Sequence, residues 1–156
     1  MKSLALFAAL CVSASALAQT FVYEGDRMMY QGMVANVTNG YICPGPNYSW
    51  PDAILTVRAG KIFQGYSSSD MDLLYTFKEG TLVAGDSDFS DDIIYTWKNG
   101  AIYRGDSDMM MDQLYTYQNG KVYKGTTTLP FDVVLTLSGN PTPVEVFGIL
   151  LALEFL

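Results

Sequence analysis

The carboxylates are concentrated in short acidic stretches. Asp86, Asp88, Asp91 and Asp92 lie close together, as do Asp106, Asp108 and Asp112; Asp70 and Asp72 form a smaller group before them. Several oxygens on a flexible loop suit Ca²⁺. Candidate calcium ligands are Asp86, Asp88, Asp92, Asp106, Asp108 and Asp112. The spacing lacks the glycine and final Glu of an EF-hand loop. The competing reading is solvated turn residues that keep sheet edges soluble. A second candidate is aromatic. Tyr75, Phe77, Tyr95, Trp97, Tyr115 and Tyr117 recur in pairs, and such a ladder can either stack sugars or pack a core. Met109, Met110 and Met111, with Met28, Met29, Met33 and Met71, offer thioethers to Cu(I). But Met109 occupies the same register as Phe89 and Leu129, and Met111 that of Met71 and Phe131. These methionines are expected to be packing anchors.

Histidine is absent. That excludes Ser-His-Asp and Cys-His catalysis, His-ligated zinc and the usual neutral-pH general base. Paired carboxylates are the remaining acid–base machinery. They are periodic rather than convergent, so a non-enzymatic protein is expected.

Residues 1–18 read as a secretory leader. Lys2 precedes an apolar run that ends in Ala16-Leu17-Ala18, a small-x-small cleavage site. The mature chain is expected to start at Gln19, be secreted or periplasmic, and form one domain of ordinary size. The chain has 9 Lys and Arg against 16 Asp and Glu, net −7; losing Lys2 makes it more acidic. Nucleic acid and anionic membrane are poor partners for such a surface. Cys43 would be the one cysteine left. No disulfide framework is available, and Cys43 is expected to be a small buried apolar group or a dimer-forming thiol.

The elements that carry these residues repeat. Gly60, Gly80, Gly100 and Gly120 are spaced 20 apart. Gly65 through Gly125, Asp52 through Asp132, and Thr56 through Thr136 keep the same step. Gly40 and Gly45 extend it backwards, and Gly25 closes "FVYEG" in the same register. A fixed period over most of the chain marks a repeat architecture. "IIYTW" and "AIYRG" are rich in β-branched and aromatic residues, so each unit is expected to be a β-hairpin. Ala59 and Glu79 tolerate positive φ poorly. A three-residue loop with a left-handed glycine is therefore expected in preference to a type I′ turn. Alternation puts Tyr75, Tyr95 and Tyr115 on the face of Phe77, Trp97 and Tyr117. The threonines, with Leu74, Ile94, Leu114 and Val134, take the other face. Asp92 and its equivalents are expected to start strands as Asx turns.

The period ends near Gly139. Thr142, Pro143 and Glu145 form a capping box with proline at the first helical position. A helix is expected over about 143–155, too apolar to be exposed and too short to cross a bilayer. The strands are also shorter than the roughly 9–11 residues of a membrane-spanning strand.

Tyr103/Gly105, Tyr115/Tyr117, Gly120 and Tyr123/Gly125 resemble a MORN repeat, as do Phe63/Gly65, Tyr75/Phe77 and Gly80. The period here is shorter, and the inner glycine pair of the MORN link is replaced by Asp and Met. The resemblance implies a long twisted sheet of stacked hairpins that serves as an interaction surface. A second resemblance is to the choline-binding repeats of surface proteins, although Trp97 is the one hairpin Trp.

The expected organisation is a leader (1–18), an all-β array of about six hairpins (19–139) forming an extended, twisted or coiled antiparallel sheet, and an apolar capping segment (140–156). The expected role is binding or scaffolding of a protein or surface polymer. The alternatives are a carbohydrate-binding module using the aromatic ladder and self-assembly through open sheet edges.

Overall fold

The computed structural model describes residues 19–156. The expected leader lies outside the described residues. Twelve antiparallel strands run in chain order: β1 (Gln19–Glu24), β2 (Met33–Thr38), β3 (Tyr41–Pro44), β4 (Leu55–Arg58), β5 (Lys61–Gln64), β6 (Leu73–Lys78), β7 (Thr81–Ala84), β8 (Ile93–Lys98), β9 (Ala101–Arg104), β10 (Gln113–Gln118), β11 (Lys121–Lys124) and β12 (Val133–Leu137). Each pairs with its chain neighbour, and β1 also pairs with β12. The sheet is a closed barrel, not the extended sheet expected from the repeat.

Closure comes from the two half-units at the ends of the period. β12 supplies the first strand of a hairpin and β1 the second. Val22 faces Leu137 and Tyr23 faces Thr136, matching Ile102 with Trp97 and Tyr103 with Thr96 in an unbroken hairpin. Curvature is built into the units. Pairing skips Val34, Leu74, Ile94, Leu114 and Val134, so five of the strand junctions carry a bulge there. A bulge bends the strand and raises its twist. Repeated around the sheet, it brings the last strand back to the first. The bulge also modifies the expected faces, since Leu74 and Val134 reach the interior cluster.

The hairpin turns differ from expectation. Asn39-Gly40, Ala59-Gly60, Glu79-Gly80, Asn99-Gly100 and Asn119-Gly120 all have positive φ at both residues. Lys98 pairs directly with Ala101 across Asn99-Gly100. These are two-residue type I′ turns, whose twist matches that of the strands. Ala59 and Glu79 are held left-handed at φ 50° and 47°, a conformation that costs L-residues about 1–2 kcal/mol. Barrel geometry overrides their preference. Gly100 has a second reason to lack a side chain: a Cβ there would meet the Tyr117 carbonyl oxygen at 2.4 Å.

Helix α1 (Pro143–Ala152) begins with the expected capping box, Thr142 with Glu145, and Pro143 in its first turn. It fills the lumen. Val146, Phe147, Ile149 and Leu150 are fully buried, in one cluster with inward residues from all twelve strands. This explains a helix that is apolar nearly all round. No helix among the described residues is long and apolar enough to cross a membrane.

Six links join the hairpins, each ending in a 3-10 turn (Tyr30–Gly32, Trp50–Asp52, Asp70–Asp72, Ser90–Asp92, Met110–Asp112, Pro130–Asp132). The periodic threonines anchor them. The hydroxyls of Thr56, Thr76, Thr96 and Thr116 donate to the carbonyls of Gly65, Gly85, Gly105 and Gly125 at 2.6–2.8 Å. Thr136 donates to Gly25 across the closing seam at 2.7 Å. Asn36 replaces threonine in the remaining unit and donates to Gly45 at 2.9 Å. The outward residues Cys43, Phe63 and Val83 are buried because the links fold back over the wall. Both faces of the sheet are thus covered.

Candidate functional site

The aromatic ladder faces the lumen. Tyr75, Phe77, Tyr95, Trp97, Tyr115 and Tyr117 are half-buried and pack against the cluster that contains α1. Phe147 is their common contact, with ring centroids 5.8 Å from Phe77, 6.1 Å from Tyr95 and 6.0 Å from Trp97. The Tyr115 hydroxyl donates to the Phe155 carbonyl at 2.9 Å. Burial pushes the phenols of Tyr95, Tyr115 and Tyr117 above their ordinary value; Tyr75 adds to the effect on Tyr95, and Tyr95 to that on Tyr115. These rings pack against the cluster around the helix, and Trp97 also packs against Tyr117.

The carboxylates lie on the outer wall. Asp86 pairs with Lys61 at 3.1 Å and Lys78 at 2.9 Å, and Asp88 with Lys78 at 2.8 Å. Asp108 pairs with Lys98 at 2.5 Å, and Asp26 with Lys121. The hydrogen bond from Lys78, followed by that from Lys61, holds the Asp86 carboxyl below its usual range. Lys98 does the same for Asp108. The partner lysines shift upward for the same reason: Lys78 through Asp88 first, Lys98 through Asp108, Lys121 through Asp26. Asp92 and Asp112 instead accept the hydroxyls of Ser87 and Ser107 within their own links. Those hydroxyls in turn accept the backbone N–H groups of Phe89 and Met109 at 3.1 and 3.2 Å. Asp92 therefore closes a link rather than forming a simple Asx turn. Asp106 is exposed on the same wall as Asp108. Among the described residues, no three His, Cys, Asp or Glu side chains are grouped to hold a metal ion.

The expected packing anchors are on the surface. Met71, Met111 and Phe131 are 95%, 86% and 81% exposed, and Phe89, Met109 and Leu129 are also exposed. Met28, Met29, Tyr30, Tyr48, Trp50, Tyr66 and Met110 complete the large exposed apolar side chains among the described residues, and all of them lie in the links. Register held the clue. Met71 and Met111 share their position with Asp91, and a place that accepts aspartate and methionine alike faces water. Cys43 is buried, its thiol donating to the Ser49 carbonyl at 3.3 Å.

Between links and wall run grooves that repeat with the chain. One of about 590 Å³ is lined by Lys78, Thr81, Ser87, Asp88 and Phe89. The next, of about 380 Å³, is lined by Lys98, Ser107, Asp108 and Met109, each one period further on.

The geometry defines a class: a six-unit, twelve-stranded barrel closed by a split hairpin and filled by its own C-terminal helix, with six outer links that carry its large exposed apolar residues. The family described as 6-fold beta flower protein matches residues 19–150. The chain belongs to that family, which corrects the MORN resemblance. The Tyr-x-Gly spacing common to both reports hairpin geometry, not a shared array. Neither the curated proteins nor the solved structures include a match.

Proposed function

We propose that this chain is an exported, non-enzymatic binding protein whose six links display contact residues to a protein or surface polymer. The observation that carries this reading is the placement of the exposed apolar side chains. Every large one among the described residues is on a link, while the strands bury one face against α1 and the other beneath the links. Large exposed apolar side chains confined to the links support a contact role for those links, and methionine suits surfaces that adapt to a partner. The absence of histidine supports a role without acid–base chemistry near neutral pH. Edge-to-edge self-assembly loses its premise, because the closed barrel leaves no unpaired strand edge.

The test is retention of the purified chain on intact cells and envelope fractions of its source. Met71→Ser, Met111→Ser and Phe131→Ser combined should lower retention about tenfold, equivalent to ~1.4 kcal/mol, with thermal stability unchanged. A folded triple variant retained as well as the wild type would sink the reading.

A further inference from the structure

One sector of the outer wall departs from the rest. In two of the six units, the place where a link crosses the start of a hairpin's second strand is ionic. Lys61 there meets Asp86 and Lys121 meets Asp26. One period earlier than Lys61 and Asp86 stand Tyr41 and Tyr66. In the same sector Tyr66 packs edge-on against Trp50, centroids 5.4 Å apart and planes at 78°. Tyr41 meets Tyr48 at 6.4 Å. The Arg58 guanidinium lies 6.0 Å from the centre of the Tyr41 ring. Nothing in the fold demands two rings here, since Lys61/Asp86, Thr81/Asp106 and Ala101/Thr126 close the same backbone in other units.

The rings are exposed but firmly mounted. Trp50 is 52% and Tyr66 57% exposed. Trp50 sits in a 3-10 turn stiffened by Pro51, and the Ser49 carbonyl beside it accepts both Asp52 N–H and the Cys43 thiol. Tyr66 follows Gly65, whose N–H donates to Ile54 and whose carbonyl accepts Thr56. A mounted ring loses little freedom when a ligand lands on it. Arg58 is exposed and, among the described residues, has no carboxylate partner.

We infer that Trp50, Tyr66, Tyr41, Tyr48 and Arg58 form a saccharide-binding site for a pyranose unit of a polysaccharide. A pyranose has an apolar C–H face and a hydroxyl rim. Trp and Tyr match both, with a flat apolar ring and a polar tip, and Arg adds a planar fork of donors. The exposed residues of this sector are two-sided in just this way. Apart from Met71, which shares a link with Tyr66, the exposed methionines, leucine and phenylalanines expected at a protein contact are placed on the other links. The site deepens the display reading of the links and rests on it, but uses different residues from Met71, Met111 and Phe131.

The experiment is a fluorescence and calorimetric titration of the whole chain with neutral cello-, malto- and xylo-oligosaccharides and with oligogalacturonate. Trp97→Phe makes Trp50 the sole reporter. At least one sugar should bind and shift Trp50 emission. Trp50→Ala and Tyr66→Ala should each weaken binding about tenfold or more, with Trp50→Phe intermediate. Arg58→Gln should weaken the uronate but not the neutral sugars if a carboxylate is recognised, and both alike if hydroxyls are. Absence of binding by every sugar overturns the proposal. So does wild-type sugar affinity in folded Trp50→Ala and Tyr66→Ala variants, or a protein partner that is lost with these variants and not displaced by sugar. Failure here with loss of cell retention in the Met71, Met111 and Phe131 variant would leave the display reading standing.

Discussion

The lumen has two unlike halves built from equivalent positions. On one side stand Ala35, Val37, Leu55 and Val57; one to four periods later the same registers hold Tyr75, Phe77, Tyr95, Trp97, Tyr115 and Tyr117. Helix α1 explains the division. It lies against β3, β4 and β5, so close that a Cβ on Gly148 would be 2.8 Å from both Ile42 and Val57. Phe147 points the other way, into the aromatic half. A helix is about 10–12 Å across with its side chains, and this one sits off centre. Small residues make room for its backbone, and large rings span the gap behind it. A six-fold backbone therefore carries a core that is not six-fold. The side left to the rings also stays more open to water: Ala35, Val37, Leu55 and Val57 are buried, whereas all six rings are half-buried.

Removing the group that joins the halves should have the largest effect. Phe147→Ala leaves a cavity under three rings and should cost about 3–5 kcal/mol, as for other buried aromatics, read from chemical denaturation. The halves themselves can then be exchanged. Val57→Phe forces a ring against Gly148 and should cost about 1–3 kcal/mol by overpacking. Adding Phe77→Val to it keeps the composition and swaps the two sectors. The double variant should remain destabilised, because the helix cannot cross the lumen to fill the new gap. A double variant as stable as the wild type would break the link between ring placement and helix position.

These halves also separate what could be read from the sequence from what could not. The hairpins, their period and the capped helix were legible because each is local: alternation, turn residues and Thr142-x-x-Glu145 sit within a few positions of one another. The shared face of Tyr95 and Trp97 followed from alternation alone. Closure was written less plainly, in "FVYEG" as a half-unit whose partner strand is Val133–Leu137. A period fixes neighbours but not how many units complete a circle; bulges at Val34 and its equivalents decide that, and no residue type announces them. The turn at Glu79 was misread because a barrel constraint outweighs a local preference. The aromatic ladder was ambiguous for a similar reason: its rings needed a cover, and the cover was a helix beyond the end of the repeat. The Trp50–Tyr66 pair was hidden because it departs from the period, so no recurring position signals it.

The smallest expected effect tests how far water enters the aromatic half. The phenols of Tyr95, Tyr115 and Tyr117 are raised above 10.0, chiefly by burial. In the unfolded chain the same groups ionise near pH 10. Above that pH the unfolded state has lost protons that the native state still holds, so stability must fall as pH rises. Below it both states are neutral, and these tyrosines contribute no slope. Unfolding should therefore become easier only above about pH 10, with phenolate absorbance and loss of helical circular dichroism moving together. Tyr95→Phe and Tyr117→Phe should flatten that slope and leave neutral stability nearly unchanged. Tyr115→Phe should flatten it too, while also losing the hydrogen bond to Phe155 and with it about 0.5–1.5 kcal/mol. If all the phenols ionise while the helix signal holds, the aromatic half is wet enough to accept charge, and the contrast between the two halves is one of size alone.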